Sequence, residues 1–365
     1  MKIEAAVTYE KGGKLRIDEV ELAEPKENEV LIKVVASGIC HTDMVARDQE
    51  IPVPLPAVLG HEGSGIVEKV GAGVRSVAKG DHVAMSFTSC GTCESCLTGH
   101  PSACHHFFEL NFTGVMSDQT KRLKKAGEDI STFFGQSSFG TYAVVNERNL
   151  VKVDKDVDLH LLGPLGCGIQ TGAGTVLNKL KPTFGSTIAI FGCGAVGLSA
   201  VMGAALTGCS EIIAVDINDA RLEMAKELGA TKVINGKKQD TLKEIIEMTD
   251  GGVNYGVETT GASPVVVQAV RSLRSLGKLA VVGVAGETEL HIHDDLIPPG
   301  RTIVGVVEGD VIPQLFIPKL IDFYKKGKFP FDKLAKVYDF ENIEQAFDDA
   351  ETGKTIKAIV KMPSI

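Results

Sequence analysis

The sequence predicts an α/β protein in which a mostly antiparallel β half precedes a doubly wound parallel sheet. Two observations carry this. Up to about residue 150, short segments alternate apolar and polar residues between turns; beyond it, short apolar runs take turns with helical stretches. The chain is also 365 residues long, too long for one typical core. The expected division is residues 1–168, residues 169–311, and a return of residues 312–365 to the first domain.

In the first half, Glu4–Tyr9 and Lys14–Val20 read as strands on either side of Gly12-Gly13, and Glu29–Ala36, Gly65–Val70 and Asp81–Met85 continue the pattern. In the second, Thr187–Phe191 and Glu211–Val215 are short apolar strands separated by a glycine-rich turn and an apolar helical run. Strands Lys232–Asn235, Val253–Val257, Lys278–Val284 and Thr302–Val306 follow, with helices at Ala220–Leu228, Thr241–Met248 and Pro264–Leu276 and stops at Gly229 and Gly277. Six such strands fit one doubly wound parallel sheet. After Ile312 two more helical stretches lead to a last strand, Ile356–Val360, returning to the first domain.

Composition excludes several classes. The chain is 44% hydrophobic and 23% charged, with no low-complexity window, and its net charge of -9 argues against a nucleic-acid or anionic-membrane surface. The one basic cluster, Lys121–Lys125, reads as a solvated loop followed by Glu128 and Asp129. Met1-Lys2-Ile3-Glu4 opens no apolar leader, so a cytoplasmic location is expected. No charge falls between Ile188 and Leu206, but Gly192, Gly194, Gly197 and Gly203 interrupt that run. It divides into a strand and a helix, not a membrane span.

Eight cysteines in such a chain suggest metal binding before disulfides. Cys90, Cys93, Cys96 and Cys104 lie within fifteen residues, and four thiolates on a glycine-containing loop can close a tetrahedron around zinc. An iron–sulfur cluster shares the first two spacings, but its fourth cysteine follows after three residues, not seven. Free thiols are the remaining alternative. The segment from His105 to Gly140 is rich in phenylalanine (107, 108, 112, 133, 134 and 139) and reads equally as a pocket wall or a packed excursion. His291-Ile292-His293 with Asp294 and Asp295 reads as an exposed polar hairpin, and His105-His106 as loop surface.

Gly192-Cys193-Gly194-Ala195-Val196-Gly197 sits between a strand and a helix, with Asp216 ending the next strand 19 residues after the last glycine. That context is what a dinucleotide fingerprint requires. The glycines permit a tight turn and close pyrophosphate approach, and the helix N-terminus faces the phosphates. Asp216 would bond the adenosine ribose and repel a 2′-phosphate, which favours NAD over NADP.

Of the four cysteines left over, Cys193 and Cys209 read as small buried hydrophobes. Cys40, in Gly38-Ile39-Cys40-His41-Thr42-Asp43, and Cys167, in Gly166-Cys167-Gly168, would with His61 of Gly60-His61-Glu62 give an open zinc shell. Spacing cannot show that they meet. These segments, the four-cysteine stretch, the fingerprint and Gly353-Lys354-Thr355-Ile356-Lys357 together resemble the zinc-dependent medium-chain alcohol dehydrogenases over essentially the whole chain. The long region after Cys104 resembles the long-loop alcohol dehydrogenases, and Gly168–Gly174 and Glu308-Gly309-Asp310 resemble the aryl- (benzyl-) alcohol branch.

The resemblance implies a GroES-like mostly-β catalytic domain, a Rossmann NAD-binding domain, and two zinc ions per chain. It implies catalytic zinc on Cys40, His61 and Cys167, with Glu62 behind the metal, and structural zinc on Cys90, Cys93, Cys96 and Cys104. Asp43 would orient His61, and Thr42 would pass the alcohol proton outward. Around NAD, besides Gly192, Gly194, Ala195, Gly197 and Asp216, it implies His41 and Lys357 near the pyrophosphate and Thr171 and Val196 beside the nicotinamide. Arg221 would lie near the ribose, and Val282 and Val284 along the ring pocket. The family also implies a homo-oligomer, dimer or tetramer, with Thr302–Val307 as a candidate edge. One position departs from it: Val45 stands where well-known members place a relay histidine. The nearest rival reading is a glutathione-linked formaldehyde dehydrogenase using Lys121–Lys125. A silent zinc- and nucleotide-binding protein would be marked by loss of Cys40, His61 or Cys167, and all three are present.

Overall fold

The computed structural model describes residues 1–363. Residues 1–167, Ile312–Lys319 and residues 332–363 form one compact unit; Gly168–Val311 and Leu320–Phe331 form another.

In the first unit the strand Glu29–Gly38 is central, which explains why it is buried almost throughout instead of on one face. It pairs antiparallel with Glu62–Val70, Tyr142–Asn146 and Lys357–Lys361 in a seven-stranded sheet. Lys2–Thr8, Arg16–Leu22, Leu123–Lys125, Glu128–Thr132 and Ala57–Val58 close into a barrel, a shape that leaves no free edge. Val7, Val30, Ile32, Val58, Leu59 and Phe139 are among the residues of its core. Register then positions the functional groups. Gly38 stands opposite Glu62 on one side and Ile359 on the other, so the C-terminal strand delivers Lys357 beside Glu62. A Cβ at Gly38 would lie 2.1 Å from Glu62 Oε2, so only glycine fits.

The basic run at 121–125 is not a solvated loop. Arg122 is 3% exposed; its Nε donates to Glu29 Oε2 at 2.9 Å and its Nη2 to Asp118 Oδ2 at 2.9 Å. Leu123–Lys125 is a strand, and Lys124 and Lys125 pair with Asp129 and Asp18. The buried partner lies 93 residues away in sequence, beyond the reach of a local charge count. Arg122→Leu would leave Glu29 buried and uncompensated, an expected loss of about 3–5 kcal/mol in urea unfolding. A loss under about 1 kcal/mol would mean that the pair is dispensable.

The second unit is a six-stranded parallel sheet in the order Lys232–Asn235, Glu211–Asp216, Thr187–Phe191, Val253–Glu258, Leu273–Val281, Thr302–Gly305. Helices Ala195–Ala205, Asp219–Glu227, Thr241–Thr249 and Ser263–Arg271 connect it. Asn218 and Asp240 cap two of them through side-chain oxygens, and Gly229 follows Asp219–Glu227 in the left-handed conformation it tolerates. Among the described residues no helix is long and apolar enough to cross a membrane.

Three local expectations need correction. The helix from residue 263 ends at Arg271, and Gly277 lies inside a strand, because Val253 pairs with Leu273 and Arg274 Nε donates to Gly252 O at 3.0 Å. Ile292–Leu296 is a helical turn, not a hairpin, in which Asp295 is buried and accepts from Arg271 and from the His291 N–H. Cys193 is fully buried, but Cys209 is only half-buried, with the Thr207 hydroxyl 3.2 Å from its sulfur.

Candidate active site

Cys40 immediately precedes the short helix His41–Arg47, and Asp43, in that helix's first turn, is completely buried. One Asp43 oxygen accepts the Cys40 N–H at 2.9 Å; the other accepts the Gly60 N–H at 3.0 Å and His61 Nδ1 at 2.9 Å. A single carboxylate therefore sets two backbone segments and one imidazole. Because a carboxylate faces Nδ1, that nitrogen carries the proton, and the lone pair of His61 lies on Nε2. Among the described residues Nε2 is buried without a hydrogen bond of ordinary geometry, an expensive arrangement unless a cation meets it. Gly60 makes the approach possible: its φ is +90°, and a Cβ there would sit 2.6 Å from the Phe139 nitrogen.

Ligand atoms of Cys40, His61, Glu62 and Cys167 all lie within 4.8 Å of one another. Two sulfurs and one imidazole nitrogen are the donor set of an open zinc site, so the residues fit the metal that the resemblance implies. Glu62 is tied from behind. Both its oxygens accept from Lys357 Nζ at 2.9 Å, and Nζ also donates to Ile39 O. The charges respond to each other. The hydrogen bond with Cys167 holds the Cys40 thiol well below its ordinary range although burial opposes it, with His61 and Lys357 adding to the effect. Burial pushes the Glu62 carboxyl up against the pull of Lys357. Burial pushes the Lys357 ammonium down, but Glu62 and Cys40 outweigh it and the net shift is upward.

The other expected residues fall as follows. Thr42 brings its hydroxyl to 3.7 Å from the Cys40 sulfur, His41 is exposed, and Val45 is buried. Lys357, which the resemblance places near the pyrophosphate, is buried with its ammonium on Glu62. The phenylalanine-rich segment is largely packed inside. Phe134 lies 4.6 Å from the His61 ring at a 30° tilt, and Phe133 meets that ring edge-on at 5.6 Å. Phe108, 56% exposed and stacked on Phe112, is the exception.

Cys90, Cys93, Cys96 and Cys104 also converge within 4.8 Å. Cys90 to Cys96 and Cys93 to Cys104 are each 3.9 Å, close to the ~3.8 Å edge of a tetrahedron with ~2.3 Å Zn–S bonds. The spacing suits one ion.

In the second unit the glycines divide their work. A Cβ at Gly197 would lie 1.7 Å from Gly192 O, so this glycine permits close packing of loop and helix. A Cβ at Gly194 would meet nothing within 4 Å, which leaves space before the N-terminus of Ala195–Ala205. Asp216 accepts from Cys193 N at 2.6 Å and from Ile217 N and Asn218 N. Val196 lies in that helix and Arg221 in the next one. Val282 is half-buried, and Val284 is 77% exposed. Thr171 is joined by a residue sequence chemistry had given no role. Glu308, at a left-handed φ of +50°, accepts from Gln170 Nε2 at 3.0 Å and lies 3.5 Å from the Thr171 hydroxyl.

Comparison with known proteins agrees with this picture. An alcohol dehydrogenase GroES-like domain model matches residues 26–155, and a zinc-binding dehydrogenase model matches residues 195–326. Geraniol dehydrogenase from Castellaniella defragrans is 45% identical, covering 98% of this chain and 97% of its own. The crystal structure of benzyl alcohol dehydrogenase from Acinetobacter calcoaceticus is similar at 50% identity and a TM-score of 0.96, over the full length of both chains. An alcohol dehydrogenase zinc-binding domain protein from Burkholderia ambifaria gives 48% identity and a TM-score of 0.97, again over both whole chains. With two matched domain models and likeness along its whole length, the chain belongs to the zinc-dependent medium-chain alcohol dehydrogenase family.

Proposed function

We propose that the protein oxidises primary aromatic or allylic alcohols reversibly to aldehydes, with NAD+ taking the hydride. The observation that carries this reading is the Cys40–His61–Cys167 donor set, half-buried at Cys40 and buried at the other two, whose ligand atoms converge within 4.8 Å. The aromatic or allylic preference rests on the relatives named for benzyl alcohol and geraniol. In this reading the chain binds two zinc ions, one at each convergent cluster. The expected division, residues 1–168 and 312–365 catalytic and 169–311 nucleotide-binding, is kept with one change: Leu320–Phe331 goes with the nucleotide unit, as its packing indicates. The protein acts in the cytoplasm as a dimer or tetramer joined through the edge strand at Thr302, without nucleic-acid or membrane partners.

Zinc supplies Lewis acidity, which takes a bound water from a pKa of ~16 to ~7 and acts on an alcohol in the same sense. NAD+ supplies the hydride acceptor. The chain does the rest. Asp43 keeps His61 in the Nδ1–H form, and the Thr42 hydroxyl, beside Cys40, carries the alcohol proton outward. With Val45 in place of a relay histidine, the side chain at that position cannot take the proton onward, and it would leave to water by way of a bound cofactor's ribose hydroxyl or through another base. Glu62 assists exchange of water and alcohol at the metal, and Lys357 counters its charge. Glu62→Gln would keep the fold but slow that exchange, lowering turnover about tenfold. A wild-type rate would refute this role.

Specificity constants test the substrate assignment. Benzyl alcohol and geraniol should exceed ethanol by at least about tenfold, the scale an apolar pocket provides. A higher constant for S-(hydroxymethyl)glutathione would transfer the protein to the glutathione-linked reaction. The engaged cations at 121–125 speak against that outcome, since Arg122 is buried on Glu29 and Lys125 pairs with Asp18.

A further inference from the structure

The segment from Phe133 to Phe139 supplies none of the proposed metal ligands, yet it grips the stretch that carries His61. Four consecutive carbonyls leading to and including the imidazole ligand accept hydrogen bonds from it. Ser137 Oγ donates to Val58 O at 2.7 Å, Phe139 N to Leu59 O at 3.2 Å, Ser138 N to Gly60 O at 3.0 Å, and Gln136 Nε2 to His61 O at 2.8 Å. Gln136 does more than the others. It is 1% exposed; its Oε1 accepts the Gly63 N–H at 3.2 Å, and its Nε2 also donates to Ser86 O at 3.2 Å. Ser86 in turn donates its hydroxyl to Gly166 O at 2.7 Å, one residue before Cys167. A buried chain thus runs from the His61 carbonyl through Gln136 and Ser86 to the loop of Cys167.

Backbone strain marks the same segment. Phe134 and Ser137 hold φ of +52° and +50°, left-handed values that cost non-glycine residues of order 1 kcal/mol and persist only where surroundings enforce them. Within this segment the Phe134 ring lies on His61 and the Gln136 amide on the His61 carbonyl.

We propose that Gln136 is a positioning residue of the metal centre: through Ser86 it sets the separation of His61 from Cys167. This rests on the reading of Cys40, His61 and Cys167 as zinc ligands. Gln136→Met keeps the volume but deletes all three bonds. Groups behind metal ligands contribute about 10–100-fold to affinity or activity, so chelator-driven loss of the catalytic metal should quicken by about that factor. With cobalt substituted at that site, the visible d–d absorption should shift, reporting altered ligand geometry.

Ser138→Ala is the control, since it removes one buried bond of the same segment, to the Ser37 hydroxyl, and leaves Gln136 untouched. It should lower thermal stability and leave the cobalt spectrum unchanged. If Gln136→Met loses stability but retains the wild-type spectrum and metal-release rate, its role is structural only and the proposal falls. If it accumulates only as aggregate, Ser86→Ala decides, because that variant cuts the link at Gly166; an unchanged spectrum there also overturns the proposal. A native protein that retains only the four-cysteine ion would show instead that the reading of the metal site itself is wrong.

Discussion

Cys167→Ser should leave a folded protein that still binds NAD, carries one zinc ion instead of two, and turns over alcohol at least about a thousandfold more slowly. The size follows from acidity. Zinc shifts the ionisation of bound water by about nine pKa units, from ~16 to ~7. Each unit is a factor of ten in the population of the reactive anion at neutral pH. Even if most of that gain survives through other contacts, a thousandfold loss is a low estimate. The substitution is nearly isosteric and lies at a loop held by other bonds, Ser86 Oγ to Gly166 O among them, so the unit should fold. Metal analysis, NAD binding and alcohol turnover measured on one preparation check the three parts. A variant with one zinc and full activity would overturn the assignment of Cys167, and one that retains two would move the ligand elsewhere.

How much of this was legible in the chain varied with distance. The four-cysteine cluster is local, within fifteen residues, and its spacing alone points to a metal. The fingerprint is local too, and the structure separates the close-packing Gly197 from the open Gly194 as that motif expects. Cys40, His61 and Cys167 are far apart in sequence; strand register places Gly38 against Glu62 and so Cys40 near His61, and close packing of Gly163 and Gly166 on Glu62 O and Met85 O brings in Cys167. No periodicity encodes that pairing, and only resemblance suggested it. Lys357 shows the same limit from the other side. Resemblance placed it near the pyrophosphate, but its bond to Glu62, set by register against Gly38, is not readable from the chain. Arg122 and Gln136 were invisible because a buried polar residue in a loop-like stretch looks like any solvated one until its partners are known.

The four-cysteine lobe makes the last large prediction, because it has almost nothing else to hold it. Its helix Glu94–Leu97 is four residues long and buries none of them, and Leu97 is 73% exposed. A segment without a core cannot offset the entropy of ordering about fifteen residues, at roughly 1–2 kcal/mol each, so a metal must. Structural zinc sites supply about 10–16 kcal/mol in small domains, a large part of that cost. Cys104→Ser should therefore release this ion, make residues 90–104 at least about tenfold more susceptible to protease, and leave the catalytic zinc in place.

Acid should do the same to the native lobe, in a predictable direction. Although burial pushes Cys90 up, the N–H groups of Thr92 and Cys93 outweigh it and hold its thiol at about 5 without metal. Burial pushes Cys96 up to about 12 and raises Cys104 as well. At neutral pH zinc must thus displace at least the protons of Cys96 and Cys104, so binding weakens as pH falls and protons compete. Zinc release from the lobe followed against pH should rise toward acid. Release independent of pH, or a Cys104→Ser protein with native protease resistance, would mean that packing rather than metal maintains the lobe.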